Sequence, residues 1–115
     1  MSRSLKLYLE DISQSIYKIR KNTASISKQQ FSDDDRIYDS VVLNLQIIGE
    51  SSKNIPETIR DRYPQIEWRK IIGLRNIISH AYFSLELDVI WDIVQTKIPP
   101  LQDAIQQIQE NEILD

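Results

Sequence analysis

The chain has no cysteine, which excludes a disulfide framework and thiolate metal sites and fits a reducing compartment. Glycine occurs only twice in 115 residues. An all-β domain needs many tight turns, so this scarcity favours helices. No apolar run approaches the roughly 18 residues that a membrane span requires. The N-terminal MSRSLKLYLEDI is charged and interrupted, without the apolar stretch of a signal peptide. Together these features predict a cytoplasmic protein with no membrane association. There is no glycine-rich phosphate loop, which argues against nucleotide hydrolysis of the P-loop kind.

What remains is ordinary for a folded domain: 41% hydrophobic and 27% charged residues. The length suits one domain, residues 1–115, with one core and little room for a second. The net charge of −3 gives no global sign of nucleic-acid binding. Its distribution is less even. From Glu50 to His80 six basic residues (Lys53, Arg60, Arg62, Arg69, Lys70, Arg75) face four acids (Glu50, Glu57, Asp61, Glu67). Beyond Ala81 there are seven acids and one lysine. A locally basic middle on an acidic protein can mark an anion-binding surface, although a solvated helix face of mixed charge reads the same way.

Apolar residues recur at helical spacing almost throughout. Leu5, Leu9, Ile12, Ile16 and Ile19 step by three or four and predict a helix from about Ser4 to Asn22. The polar TASISKQQ that follows reads as a loop. Ser32 then offers an N-cap, with Asp33, Asp34 and Asp35 placed where the positive end of a helix favours acids. Without histidine or further acids at ligand spacing, these aspartates read as helix-start residues and not as a metal site. Ile37, Val41, Leu45 and Ile48 carry the stripe of this second helix to about Asn54. Val42, Leu43 and Ile47 widen it, which predicts the most buried helix of the fold.

Pro56 is tolerated in a first turn and not in a helix interior, so 56–62 reads as a short helix ended by Tyr63-Pro64. A further helix starts near Glu67 and contains WRKIIGLRNIISHAY, with Ile71, Leu74, Ile78 and Tyr82 near one side. Gly73 lies inside it at a cost of roughly 1 kcal/mol relative to alanine, and a glycine there can permit close backbone packing. The last segment begins near Glu86. Leu87, Trp91, Val94, Ile98, Leu101, Ile105 and Ile108 keep phase across Pro99-Pro100, which predicts a kinked pair of helices on one core. Trp68 and Trp91 can stack on bases, but Trp91 lies on the apolar stripe and reads as core. The sum is an all-α fold: an antiparallel four-helix bundle with a short extra helix and a Pro-kinked C-terminal helix.

One stretch stands out chemically. RNIISHAYF, Arg75 to Phe83, holds the chain's single histidine. Arg75 and His80 are five apart, about 140° around an ideal helix, whereas Asn76 and His80 are four apart and share a face. A histidine titrating near neutral pH can take a proton from a 2′-hydroxyl or give one to a leaving oxygen. An arginine can hold two phosphate oxygens and stabilise the growing charge, and Asn76 can orient the imidazole or bond the phosphate. This set suits metal-independent RNA cleavage. Such chemistry usually needs both an acid and a base, so one histidine per chain argues for a homodimer with a shared cleft. Against this stand ordinary readings: a lone histidine near a helix end is commonly a cap, a mid-helix arginine commonly an ion pair, and Tyr82 commonly a core aromatic.

Arg75-x-x-x-x-His80-x-Tyr82 resembles the R-x-x-x-x-H-x-Y signature of HepT toxins, members of the HEPN superfamily. The order IIGE, P-x-I-x-W, IIGLRN, SHAYF, IPPL extends the resemblance over nearly the whole chain. The resemblance implies the toxin of a two-component toxin–antitoxin system, a homodimeric endoribonuclease cleaving RNA, as related proteins cleave tRNA. It assigns catalysis to Arg75 and His80 and, less directly, Asn76. It implies no cofactor. It also implies a partner, a small MNT-type nucleotidyltransferase that neutralises the toxin by adding AMP to Tyr82, where bulk and phosphate charge would occupy the RNA site. The alternative on the same fold is a non-catalytic HEPN subunit that binds a nucleotide or a partner.

Overall fold

In the computed structural model residues 4–81 and 87–113 are described, with the side chains of 77–81 left out. All regular structure among these residues is helical. Helix α1, Leu5–Thr23, starts on Ser4, whose hydroxyl accepts from the Leu7 amide, and ends with Arg20 and Lys21 beside its negative pole. Its stripe Leu9, Ile12, Ile16 and Ile19 is fully buried. Each such side chain stabilises the fold by about 1.5–3 kcal/mol through burial.

The expected loop TASISKQQ is in fact half helical. Helix α2 spans Lys28–Asp33. Its start is a reciprocal capping box: the Gln30 amide donates to Ser27 Oγ at 3.1 Å, and the Ser27 amide donates to Gln30 Oε1 at 2.8 Å. Phe31 then anchors this short helix. It is fully buried, with its ring 5.4 Å from Tyr38 and 5.1 Å from Trp91. One apolar residue in a polar stretch carries no periodicity, which is why the pattern hid this element. Ser32, expected as an N-cap, therefore lies inside α2. The cap of α3, Asp35–Lys53, is Asp34, whose carboxylate accepts from the amides of Arg36 and Ile37 at 3.0 and 3.2 Å.

Helix α3 is central and packs on both α1 and, below, α5. Val41, Leu45 and Ile48 are fully buried as the spacing predicts, and of the three residues expected to widen the stripe Val42 is buried but Leu43 and Ile47 are not. Leu43 is 56% and Ile47 37% exposed. The two neighbouring helices take up the inward and lateral faces, where Asn44, Ser51 and Ser52 are buried instead. Leu43 and Ile47 are left pointing outward.

Helix α4 covers Glu57–Arg60, shorter than the expected 56–62, with Pro56 as its cap residue. Behind it Tyr63 accepts at its carbonyl from the Trp68 indole N–H at 3.0 Å, and at its hydroxyl from Asn111 at 3.2 Å. Trp68 is thus a buried anchor at the start of α5, Trp68–Ala81, and not a base-stacking platform. Glu86, expected to start the last segment, lies outside the described residues. Helix α6 is Leu87–Asp92 and α7 is Ile98–Glu112, joined by a π-helical turn, Ile93–Lys97. The π-helical turn has a specific cause. Pro99 and Pro100 have no amide to donate, so they sit in the first turn of α7, where none is needed. The Ile98 amide reaches back five residues to the Ile93 carbonyl. Trp91 is half-buried against Phe31. Ile98, Leu101, Ala104, Ile105 and Ile108 close the core, with α7 packed on α1. Asn22 bonding Ser40, and Arg20 bonding Gln102, bring the end of α1 to the beginnings of α3 and α7, the antiparallel arrangement of a bundle. Among the described residues no helix is long and apolar enough to cross a membrane.

Candidate active site

The site begins with a glycine. Gly49 faces α5 so closely that a Cβ there would lie 3.1 Å from the Arg75 nitrogen and the Ile71 carbonyl oxygen, and 3.3 Å from the Ile72 carbonyl oxygen. Close helix approach, which a glycine at 73 could also permit, is therefore the work of Gly49. At Gly73 an added Cβ meets nothing within 4 Å among the described residues.

This approach sets Glu50 beside Arg75. The guanidinium donates from Nη1 to Glu50 Oε2 at 2.6 Å. The hydrogen bond from Arg75 holds the Glu50 carboxyl below the usual carboxylate range, against an opposing desolvation and with the charges of Arg75 and Lys53 adding to it. The pair is therefore fully formed at neutral pH and is lost only as pH falls through that lowered value. Both side chains are substantially exposed, 43% for Arg75 and 51% for Glu50. Exposed pairs contribute little to stability. The effect of Glu50 is to hold the guanidinium at the surface in one orientation.

Around the pair lies an open cleft of about 330 Å³ between α3 and α5, lined by Gly49, Glu50, Lys53, Arg69, Ile72, Gly73, Arg75 and Asn76. Arg75 and Asn76 thus meet in one cleft, with Asn76 exposed at its edge. The helical backbone of α5 continues through Ala81. In that register the His80 backbone lies one turn beyond Asn76 and about 7.5 Å along the axis from Arg75. The side chain of His80 and the whole of Tyr82 lie outside the described residues. In the sequence Lys53 and Arg69 are distinguished only by their charge, and Glu50 only by its charge and its place in the IIGE segment. No spacing rule pairs residue 50 with residue 75. The available signal was Gly49, a glycine inside an apolar helical stripe.

A larger cleft, about 440 Å³, lies on the opposite side of α5, between Ile66, Ile71 and Leu74 and the turn before α7. Its walls are mainly apolar. Its charges satisfy one another, with Glu67 accepting from Lys70 at 2.9 Å and Lys97 at 3.1 Å. It offers no group suited to phosphodiester chemistry, so the smaller, polar cleft is the candidate site.

Comparison with known proteins places the chain in a family of ribonuclease-like proteins. The model of a family described as ribonuclease HepT-like matches residues 12–108. A protein named probable ribonuclease HepT, from Thermococcus cleftensis, is 37% identical over 110 residues, covering 96% of this chain and 100% of that protein. A putative RNase of Methanocaldococcus jannaschii is 32% identical over 104 residues, covering 90% of this chain and 95% of its own. The protein named mRNA nuclease HepT of Shewanella oneidensis is 29% identical, spanning 70% of this chain and 78% of that protein. No solved structure gives a significant match.

Proposed function

The chain belongs to the HepT-like ribonuclease family, and from that premise we propose that it is the toxin of a toxin–antitoxin pair, an endoribonuclease working through Arg75 and His80. The observation that carries this reading is the placement of Arg75. A mid-helix arginine commonly serves as an ion pair, and Arg75 does pair with Glu50, but the setting of the pair is what distinguishes it. This one is half exposed in an open cleft, held by an exposed carboxylate. A guanidinium so presented can take two oxygens of a phosphodiester while Glu50 limits its swing.

The reaction assigned to the site needs proton transfer and charge stabilisation. The 2′-oxygen of RNA bonds to phosphorus as its proton passes to the imidazole of His80. The bond from phosphorus to the 5′-oxygen breaks as a second imidazole, the partner subunit's His80, gives that oxygen a proton. The products are a 2′,3′-cyclic phosphate and a 5′-hydroxyl end. Arg75 stabilises the extra negative charge on the non-bridging oxygens in the transition state, and Asn76, one turn before His80, orients the imidazole or the phosphate. Because every step is a proton transfer or an electrostatic contact, activity should persist in a chelator.

The homodimer required by this scheme finds support on α3. Leu43, Ile47 and Glu50 are spaced i, i+4 and i+7, so two outward apolar side chains lead directly to the carboxylate at the cleft. Leu43→Glu should weaken self-association and lower cleavage at low protein concentration, with recovery at high concentration. Sedimentation of both proteins checks this; an unchanged dimer in the variant would remove this face from the interface.

Control is assigned to Tyr82. A nucleotidyltransferase of the MNT type would direct the tyrosine oxygen onto the α-phosphorus of ATP, releasing pyrophosphate and leaving AMP on the ring. The added phosphate then competes with RNA for Arg75. Incubation with the partner and ATP should raise the mass of the chain by one or more AMP units and reduce its nuclease activity. Tyr82→Phe should stay folded and toxic but escape protection. Mass spectrometry finding AMP on another residue, or on none, would end this assignment without touching the catalytic one.

A further inference from the structure

Gly73 occupies a position where the fold has no use for glycine. It lies in the interior of α5, where glycine weakens a helix relative to alanine. Neither glycine has a positive φ. No neighbour among the described residues demands the missing side chain either, since a Cβ there would meet none of them within 4 Å. What distinguishes the position is the cleft, which Gly73 lines together with Lys53, Arg69 and Arg75. Lys53 and Arg69 are both exposed, and among the described residues neither is held in an ion pair. Three cations thus face one carboxylate, Glu50, on a chain whose net charge is −3.

Resting on the ribonuclease reading above, we propose that bare Gly73, flanked by Lys53 and Arg69, is a second RNA subsite that seats a backbone phosphate neighbouring the one held by Arg75. Arg69 and Arg75 are six residues apart, about 9 Å of helical rise, so their guanidinia serve different phosphates of one strand. A missing side chain between them lets the sugar–phosphate chain come down onto the helix, as glycine does wherever a ligand backbone approaches closely. A docking surface for an acidic protein fits less well. Protein interfaces centre on buried apolar or aromatic anchors, and the apolar side chain in this cleft is the half-buried Ile72.

The test uses the full chain and a fluorescent single-stranded RNA of mixed sequence with 2′-O-methyl riboses, which binds but cannot be cut. Gly73→Gln should weaken binding by roughly tenfold, the scale of one lost contact, while melting no lower than wild type. Gly73→Ala should raise the melting temperature. Lys53→Ala and Arg69→Ala should each weaken binding and lower the slope of log affinity against log salt by about 0.7, one phosphate contact on a single strand. On cleavable RNA these variants should raise KM and leave kcat near wild type. If wild type binds the probe and Gly73→Gln, Lys53→Ala and Arg69→Ala all bind equally well with an unchanged salt slope, the subsite is wrong and the ribonuclease reading stands. If wild type neither binds nor cleaves RNA, that reading fails and this one with it. Variants that bind RNA normally but no longer form a complex with the nucleotidyltransferase would overturn the subsite and make the cleft a protein-docking surface.

Discussion

Changing His80 to alanine should lower RNA cleavage by on the order of 100-fold or more and abolish toxicity in cells, and changing Arg75 to alanine should do the same. Neither change should unfold the protein. Arg75 is half exposed and its partner Glu50 is also exposed, so losing the pair removes only about 0–1 kcal/mol. Melting curves and far-ultraviolet circular dichroism of Arg75→Ala should therefore overlay those of wild type. The two losses should differ in kind. Arg75→Ala weakens RNA binding as well as turnover because the guanidinium contacts phosphate in the ground state. His80→Ala acts mainly on turnover. Full activity in either purified variant would contradict the assignment.

A comparably large effect is expected at Gly49, for a different reason. Leucine there places a branched side chain where even a Cβ lies 3.1 Å from two backbone atoms of α5. Those atoms belong to a helix and cannot swing aside, so α3 and α5 must separate. Overpacking of this kind costs about 1–3 kcal/mol, which for a domain of this size lowers Tm by several degrees per kcal/mol. The separation also moves Arg75 relative to Glu50, so Gly49→Leu should lose cleavage along with stability. The two glycines then report opposite physics. Gly73→Ala is expected to stabilise by up to about 1 kcal/mol, whereas Gly49→Leu destabilises. Differential scanning calorimetry of the two variants checks both signs. A Gly49→Leu protein that melts with wild type would mean the helices are not packed through this position.

The all-helical architecture was legible because the apolar stripes of α1, α3, α5 and α7 run for several turns each, and period alone separates helix from strand. Two features escaped for physical reasons. Helix α2 rests on one capping box and one buried ring, Phe31, too few residues to form a periodic signal. The outward turn of Leu43 and Ile47 follows from which faces of α3 its neighbours occupy. That is a tertiary fact, and a hydrophobic stripe seen alone looks equally buried on every side. The site divides in the same way. Arg75 and Asn76 were legible because they are adjacent to a rare histidine, and chemistry singles out that combination. Glu50, Lys53 and Arg69 were not, because they reach Arg75 only through the contact made by Gly49 and through the cleft that Gly73 leaves open. A helix glycine can permit close packing, and of the two it is Gly49 that does so, a distinction that depends on which face of each helix meets its neighbour.

The central claim is that this chain cuts RNA by proton transfer and phosphate clamping at Arg75 and His80. Its most direct test is to incubate the purified wild-type protein and His80→Ala with RNA in excess chelator and to identify the new ends. Wild type alone should give fragments, ending in 2′,3′-cyclic phosphates and beginning with 5′-hydroxyls. Intact RNA with wild type, equal fragments from both proteins, or cleavage that appears only when a divalent metal is restored would contradict it.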